Sequence, residues 1–375
     1  MNCNKATLVL GLIFFLLTSS ASSANDANIP ITGPKNAKFN EIDSAMLEFM
    51  KQRDFKAATV AISRGRAIIF KHDYGWADES QTKKISPYQV MRIASISKPI
   101  TEAAIKILIQ QNKITLKTKV FEYLDIQPFE GRPVVDKRIY EITIEDLLLH
   151  KGGWDGDASF DPMFASRKIS REMGLKGPPS AKEIIQYMMG AQLQFAPGEK
   201  TVYSNFGYCV LGRVIEKVSG VDYIEFIKRN IARPSGMRTL DIGHTSIKDR
   251  DPNEIWYSSM GSKEASVFSV EQEEMAPSAD GGFYLEAMDS HGGLICSAGD
   301  LCKFLERYWI NGDRRRLTDH FSYSFYGSLP GTTAVAIQRP DGYNIVALVN
   351  ARKSAENANE LHKELDVAMD KVLKK

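Results

Sequence analysis

Strand patterns occur at both ends of this chain, and this arrangement constrains its fold more than any other feature. Near the start, Phe55–Ile62 and Ala67–Phe70 form a predicted hairpin that turns at Gly65. Near the end, Thr333–Gln338 and Tyr343–Asn350 flank a Pro-Asp-Gly turn. The economical solution is an α/β (α+β) fold in which both chain ends contribute to one antiparallel sheet.

Helical periodicity completes this layout. Phe39 to Met50 repeats apolar residues with a helical period before the first hairpin, and Leu361, Leu365, Met369 and Val372 share one face of a last helix. These terminal helices are predicted to pack on one face of the sheet. The sheet part then covers about 37–95 and 290–375, and a mainly helical insertion covers about 96–289. A third short strand, Tyr88–Ile93, leads into that insertion.

A Ser-x-x-Lys motif, Ser95 to Lys98, stands where this strand passes into a helix-favouring run. A spacing of three places both side chains on one helix face. Serine is a poor nucleophile near neutral pH and needs a nearby base, which a lysine with a pKa lowered by burial can supply. Pro99 suits the first turn of such a helix. The alternative is a capping serine beside a solvated lysine, which is the commoner meaning of this short motif.

A second motif, Tyr203-Ser204-Asn205, precedes a strongly amphipathic helix pattern that runs to Val218. A tyrosine can relay a proton where nearby cations lower its pKa, and an asparagine amide can hold a substrate carbonyl and bridge to a lysine. The alternative is a tyrosine that packs a loop and an asparagine that caps the helix.

A third segment, Ser324 to Gly331, has the composition of a strand beside the nucleophile. Gly327 would let a ligand approach the backbone closely, and the N–H groups of Ser95 and Ser328 could form an oxyanion hole. The alternative is an ordinary glycine-rich hairpin.

Together these motifs resemble the serine hydrolase superfamily of class C β-lactamases, penicillin-binding D-Ala-D-Ala peptidases and family VIII carboxylesterases. The resemblance covers most of the chain and implies a β-lactamase/transpeptidase-like fold. It is carried by four segments, namely Ile93 to Lys98, Pro197-Gly198 with Tyr203 to Tyr208, His291 to Leu294 with Ser297 to Leu301, and Gly327 to Gly331.

The resemblance also implies roles for individual residues. Ser95 would be the acylated nucleophile, Lys98 and Tyr203 would share the base role, and Asn205 would bind the acyl side of the substrate. Trp154 is expected to line the mouth of the site, where the related enzymes have a substrate loop. Asp155, Asp157 and Asp161 are expected to be loop residues near that mouth.

One departure from the family pattern bears on the substrate. The third motif of the related β-lactamases and peptidases begins with lysine or histidine, which holds a substrate carboxylate, but here the position is Phe325. Family VIII esterases can carry an aromatic residue there. We therefore expect carboxylesterase-like activity on small neutral esters or amides. The alternatives are a D-Ala-D-Ala-type peptidase or weak β-lactamase, and an inactive homologue that binds cell-wall fragments or a protein partner.

The first 24 residues resemble a secretory signal peptide, with Lys5, an apolar run from Leu8 to Leu17 and a small-residue cleavage region ending at Ala24. No cysteine stands at the cleavage region, so we expect no lipid anchor there and no stable membrane anchor after the leader is removed. The remaining residues 25–375 are predicted to form a single domain that is secreted or periplasmic. The oligomeric state stays open.

Composition limits the partners of the chain. A formal net charge of +2 argues against nucleic acid and leaves a small-molecule ester, amide or cell-wall-like substrate. No metal or cofactor is expected, because the cysteines lack zinc spacing and the aspartates at 155–161 do not continue as an EF-hand. Cys209 is expected to be buried and reduced, and Cys296 and Cys302 are unfavourably spaced for a disulfide bond.

Overall fold

A six-stranded antiparallel sheet joins the two ends of the chain in this computed structural model, which describes residues 29–130, 132–316 and 318–374. The predicted leader, residues 1–24, lies outside the described residues. The strands are β1 (Ile31–Thr32), β2 (Ala57–Arg64), β3 (Ala67–Gly75), β4 (Met91–Arg92), β5 (Asp241–Ile242), β6 (Lys263–Ala265), β7 (Met275–Pro277), β8 (Leu294–Cys296), β9 (Tyr323–Leu329), β10 (Thr332–Gln338) and β11 (Tyr343–Val349). The order in the large sheet is β1-β3-β2-β11-β10-β9. The predicted antiparallel sheet from both chain ends is therefore confirmed.

The helices lie at both ends of the chain and fill the insertion between them. They are α1 (Asn40–Arg53), α2 (Ser97–Gln110), α3 (Val120–Leu124), α4 (Ile144–Leu148), α5 (Ser166–Met173), α6 (Ala181–Met188), α7 (Asn205–Ser219), α8 (Tyr223–Ile227), α9 (Arg233–Ser235), α10 (Ala298–Leu305) and α11 (Asn357–Lys374). None of the helices in the described ranges is long and apolar enough to cross a membrane.

The large sheet is covered on both faces, which explains why its central strands are apolar throughout. In β10, Val335 and Ile337 join the core formed with α1 and α11, whereas Ala334 and Ala336 face the core shared with the insertion. This alternation follows from the two-residue repeat of a strand. The terminal helices share the first face, as the sequence predicted.

The strand before the nucleophile differs from the prediction. Of the expected Tyr88–Ile93 strand, Met91 and Arg92 pair with β8 in a separate three-stranded sheet, β4-β8-β5, and Val90 forms an isolated bridge with Glu254. The strand is short because the chain turns sharply at Ala94, whose φ of 48° lies in the left-handed region. The three remaining cysteines, Cys209, Cys296 and Cys302, are buried and free, so the unfavoured disulfide bond is absent.

Arg92 fastens the insertion behind the nucleophile. Its side chain is fully buried, its guanidinium carbon lies 4.0 Å from the centre of the Tyr257 ring, and it donates a 2.7 Å hydrogen bond to the Ala279 carbonyl. The long segment from 240 to 290, whose sequence has few helix or strand signals, thereby packs against the short strand that leads to Ser95.

Gly327 makes room for the chain before Ser95, whereas the sequence predicted that it makes room for a ligand. A Cβ atom placed on it would lie 2.3 Å from the Ile93 carbonyl oxygen and 3.0 Å from the Ala94 Cβ. The missing side chain therefore admits the backbone of the turn before Ser95, and not a ligand. The assignment of Gly327 to substrate binding is wrong in this respect: it is a buried packing residue between β9 and the nucleophile turn.

We predict that Gly327→Ala lowers the free energy of unfolding by about 1–3 kcal/mol, the usual cost of overpacking a rigid site. The matched control is Gly177→Ala, because the added methyl group there meets no atom within 4 Å. Thermal and denaturant unfolding of both variants check this. Equal stabilities for the two variants would contradict this prediction and show that the turn at Ala94 can shift to accommodate the added methyl group.

Candidate active site

Ser95 lies in a tight turn between β4 and α2. Residues 94–96 form a 3-10 turn, and α2 begins at Ser97 and not at Ser95. The left-handed Ala94 costs on the order of 1–3 kcal/mol for a residue other than glycine. The Ser97 hydroxyl holds the turn, since it donates to the Ala94 carbonyl at 2.8 Å and accepts from the Leu294 N–H at 3.3 Å. Ser95 is thus presented at one wall of a cavity.

Lys98 lies one helical turn below Ser95 and is fully buried. Its Nζ lies 3.2 Å from Ser95 Oγ, 2.8 Å from Asn205 Oδ1 and 3.0 Å from the His291 carbonyl oxygen. An ammonium group can donate to all three atoms. A neutral amine has two N–H groups, which suit the two carbonyl-type acceptors, and its lone pair then faces the Ser95 hydroxyl.

Lys98 can change between its protonated and neutral forms near neutral pH. Burial lowers the pKa of Lys98 to about 7, and the Asp161 carboxylate partly opposes the shift. A substantial fraction of the amine is therefore neutral at neutral pH, and burial removes the chief obstacle to lysine as a base. The sequence-based requirement of a lysine with a lowered pKa is met.

Tyr203 contacts the nucleophile from the other side. Its hydroxyl lies 2.8 Å from Ser95 Oγ, and its ring packs against the His150 ring at a centroid distance of 4.7 Å. Although the Tyr203 residue is 51% exposed, desolvation of its hydroxyl group raises the pKa to about 12. The condition that nearby cations lower the pKa of this tyrosine is therefore not met. Tyr203 stays protonated near neutral pH and can act as a proton donor.

Asn205 and Asp161 support Lys98. Asn205 Nδ2 donates a 2.6 Å hydrogen bond to Asp161 Oδ2, and the Asn205 Oδ1 faces the lysine. The carboxylate on one side and the ammonium on the other determine the orientation of the amide. Ser204, and not Asn205, caps α7 by accepting from the Gly207 N–H at 3.1 Å. Asn205 is thereby free for the cavity.

The cavity at Ser95 has a volume of about 450 Å³. Among the predicted site residues, Ser95, Tyr203, Asn205, Phe325 and Ser328 line it. Phe325 lines the same cavity as Ser95 and carries no charge. The proposed oxyanion role of the Ser95 and Ser328 amides stays a prediction.

The assignment of Trp154 to the mouth of the site is wrong. Trp154 is 5% exposed and packs edge-on against Phe206 and near Phe121, with ring centroids 4.7 Å and 6.2 Å away. The two glycines before it allow the backbone to turn the indole inward, into the core of the helical insertion. Its large apolar surface is worth more there than at the rim of the cavity.

Seven further residues line the cavity without a role predicted from the sequence, and three of them bear on its chemistry. Phe164, His291 and Arg352 line the same space. Phe164 follows Asp161 in a loop without a motif, and Arg352 follows the last strand by three positions. His291 belongs to the His291–Leu294 segment that resembles the related enzymes. It contributes a backbone carbonyl to the site, and such a contribution cannot be predicted from the type of the residue. Within the described ranges, no group of three or more His, Cys, Asp or Glu residues could hold a metal ion.

Comparison with curated proteins yields partial matches. The chain is 31% identical over 182 residues to penicillin-binding protein 4* of Bacillus subtilis, which covers 48% of this chain and 36% of that protein. It is 24% identical over 213 residues to protein flp of Staphylococcus aureus, which covers 57% of this chain and 39% of that protein. The chain thus spans less than half the length of these relatives.

Solved structures share the fold over most of the chain. A D-amino acid amidase from Ochrobactrum anthropi SV3 has a TM-score of 0.66 and 17% identity, over 88% of this chain and 99% of that one. A class C β-lactamase has a TM-score of 0.63 and 14% identity, over 88% of this chain and 96% of that one. These likenesses confirm the predicted β-lactamase/transpeptidase-like fold.

The Beta-lactamase family matches residues 42–359, which include every residue of the constellation around Ser95. This range spans the large sheet, the helical insertion and the cavity between them. The chain therefore belongs to the Beta-lactamase family of serine hydrolases.

Proposed function

We propose that this protein hydrolyses small neutral esters or amides through an acyl-enzyme on Ser95. The observation that carries the proposal is the position of Ser95 Oγ, which lies 3.2 Å from Lys98 Nζ and 2.8 Å from the Tyr203 hydroxyl at the wall of a cavity. A nucleophile in contact with a base and a proton donor is the arrangement that acyl transfer requires.

The first half of the reaction forms the acyl-enzyme. Neutral Lys98 takes the Ser95 proton while Oγ attacks the substrate carbonyl, and the Tyr203 hydroxyl protonates the departing oxygen or nitrogen. Lys98 is then an ammonium and Tyr203 a phenolate, so the pair has gained no net charge. The 4.7 Å contact between Lys98 Nζ and the Tyr203 ring stabilises this ion pair.

The second half restores the enzyme. Water attacks the acyl group on Ser95 and gives its proton to the Tyr203 phenolate, and Lys98 returns its proton to Ser95 Oγ as the acid leaves. The distances that served acylation serve this step, because Ser95 Oγ remains the shared neighbour of both groups.

The walls of the cavity support a neutral substrate. Phe325 stands where related enzymes have a cation for a substrate carboxylate, and Phe164 contributes a second aromatic surface that is 45% exposed. Beside these aromatic surfaces an uncharged group is favoured, because burial of a carboxylate without a partner there is costly. A solved structure of the same fold is a D-amino acid amidase, which supports amides as part of the substrate range.

Two other functions are alternatives to this proposal. A D-Ala-D-Ala-type peptidase or weak β-lactamase is supported by the likeness to penicillin-binding protein 4*. An inactive homologue that only binds its ligand is opposed by the complete contact set of Ser95, Lys98 and Tyr203. Export through the leader at 1–24 is part of the proposal, and the N-terminus of the protein isolated from its native host tests it.

We predict that Ser95→Ala abolishes ester hydrolysis and labelling by a fluorophosphonate probe without a loss of thermal stability. The wild type should be labelled on Ser95, as peptide mass spectrometry can establish. An unlabelled, inactive wild-type protein would favour the binding homologue. Full turnover by Ser95→Ala would show that another residue is the nucleophile.

The pH dependence follows from the state of Lys98. Because neutral Lys98 is the base and its pKa is about 7, kcat/KM should be lost as pH falls below this value and should level off above about pH 8. Asp161→Asn removes a negative charge that raises the pKa of Lys98, so the apparent pKa of kcat/KM should fall. A rise in kcat/KM only near pH 10 would mean that Lys98 keeps its ordinary pKa.

Phe325 should set the preference between neutral and carboxylate-bearing leaving groups. We expect a higher kcat/KM for a short-chain neutral ester than for a cephalosporin or a D-Ala-D-Ala peptide. Phe325→Lys should shift the ratio toward the cephalosporin, because a charge-assisted hydrogen bond contributes about 1.5–3 kcal/mol, or about ten- to hundredfold in rate.

Phe325→Leu is the matched control, since it keeps an apolar side chain and should leave the ratio near that of the wild type. A native preference for the cephalosporin would contradict the proposed neutral specificity. An unchanged ratio in a folded Phe325→Lys variant would show that position 325 does not face the leaving group.

A further inference from the structure

Arg352 lines two cavities at once. One is the cavity at Ser95, and the other, of about 370 Å³, lies beyond Ser328. The second cavity is bordered by the β9–β10 turn, by the segment before β6 and by the loop that carries Arg352 and Lys353. Arg352 therefore stands at the passage from the nucleophile to a second space that no step of the proposed reaction uses.

The guanidinium of Arg352 has spare hydrogen-bonding capacity. Its Nη1 donates to Ser328 Oγ at 3.2 Å, and within the described ranges no carboxylate forms an ion pair with it. A guanidinium has five N–H donors and is charged at any physiological pH. Glu264 lines the second cavity together with Arg352, and its charge acts on the guanidinium without forming an ion pair with it. A half-buried cation with unused donors thus faces the cavities.

Arg352 cannot replace the missing cation at Phe325. It contacts Ser328, three residues further along β9, which corresponds to about 10 Å at the usual rise of a strand. The two ends of β9 therefore have opposite character: the Phe325 end is apolar, and the Ser328 end is cationic. Because β9 is an edge strand of the large sheet, a substrate can lie along it past both ends.

We propose that Arg352 binds an anionic group, a carboxylate above all, at the far end of the acyl part of the substrate. The preferred substrate is then an ester or amide with a neutral leaving group near Phe325 and an acyl chain that ends in a carboxylate at Arg352. This inference rests on the proposed acyl-enzyme at Ser95 and changes its substrate class: the group beside Phe325 stays neutral, but the far end of the acyl chain carries a negative charge.

The test compares p-nitrophenyl hydrogen adipate with p-nitrophenyl hexanoate, which differ only in the terminal carboxylate. The wild type should prefer the half-ester in kcat/KM, and Arg352→Gln should lower that preference about ten- to hundredfold. Arg352→Lys should keep part of it, because a point charge remains. Arg233→Gln, at an exposed arginine outside both cavities, is the matched control and should leave the preference unchanged.

The ratio separates recognition from a merely structural role. If Arg352 only holds Ser328 in place, Arg352→Gln lowers kcat/KM for both esters equally, and the proposal is overturned. The same holds if the wild type shows no preference for the half-ester. Circular dichroism and thermal unfolding confirm that each variant is folded, and Arg352→Lys provides the second reading if Arg352→Gln is not.

A binding measurement keeps this test independent of turnover. Calorimetric titration of Ser95→Ala with both esters should show tighter binding of the half-ester, and Ser95→Ala/Arg352→Gln should lose the difference. Turnover of hexanoate together with equal binding of both esters overturns the role of Arg352 and leaves the proposed function standing. Absence of turnover and of Ser95 labelling, with half-ester binding retained, overturns the acyl-enzyme and supports the anion site.

Discussion

The burial of Lys98 is the constraint on which the active site depends. An amine in water keeps its proton at neutral pH and cannot act as a base for serine. The fold must therefore remove the amine from water and must also keep carboxylates out of direct contact with it. The structure does this with two uncharged acceptors, Asn205 Oδ1 and the His291 carbonyl, while Asp161 is hydrogen-bonded to Asn205 and opposes the lowered pKa of Lys98 only through its charge. A direct carboxylate partner would hold the proton on the amine.

The framework around Lys98 keeps Ser95 against it by close backbone packing. The left-handed Ala94 reverses the chain after β4, and β9 approaches this turn so closely that position 327 has no room for a side chain. Arg92 ties the same short strand to the insertion through Tyr257 and Ala279. Backbone strain at the nucleophile is thus balanced by packing from the sheet on one side and from the insertion on the other.

Lys98 and Tyr203 have different roles in proton transfer because the pKa of Lys98 is lowered and the pKa of Tyr203 is raised. Burial disfavours the charged form of each, so Lys98 becomes a base near neutral pH and Tyr203 remains an acid with a pKa of about 12. Ser95 Oγ therefore has one proton acceptor and one proton donor within hydrogen-bond distance. The cavity at Ser95 continues along β9 from the aromatic Phe325 to the cationic Arg352. The charge that a substrate group can carry therefore depends on where along this strand the group lies.

The sequence by itself determined the placement of strands at both ends, the terminal helices and the Ser95, Lys98, Tyr203 and Asn205 set. These features follow from local periodicity and from short motifs whose spacing has a direct chemical meaning. Only the tertiary structure decided that Trp154 is buried, that Gly327 admits backbone and not ligand, and that Arg352 reaches the cavity. Each of these depends on which distant segments meet: Phe206 against Trp154, the turn at Ala94 against β9, and the loop after β11 against Ser328. A residue's own neighbours in sequence carry no information on such contacts, because the fold brings together segments that are distant along the chain, by 24 positions in the case of Arg352 and Ser328.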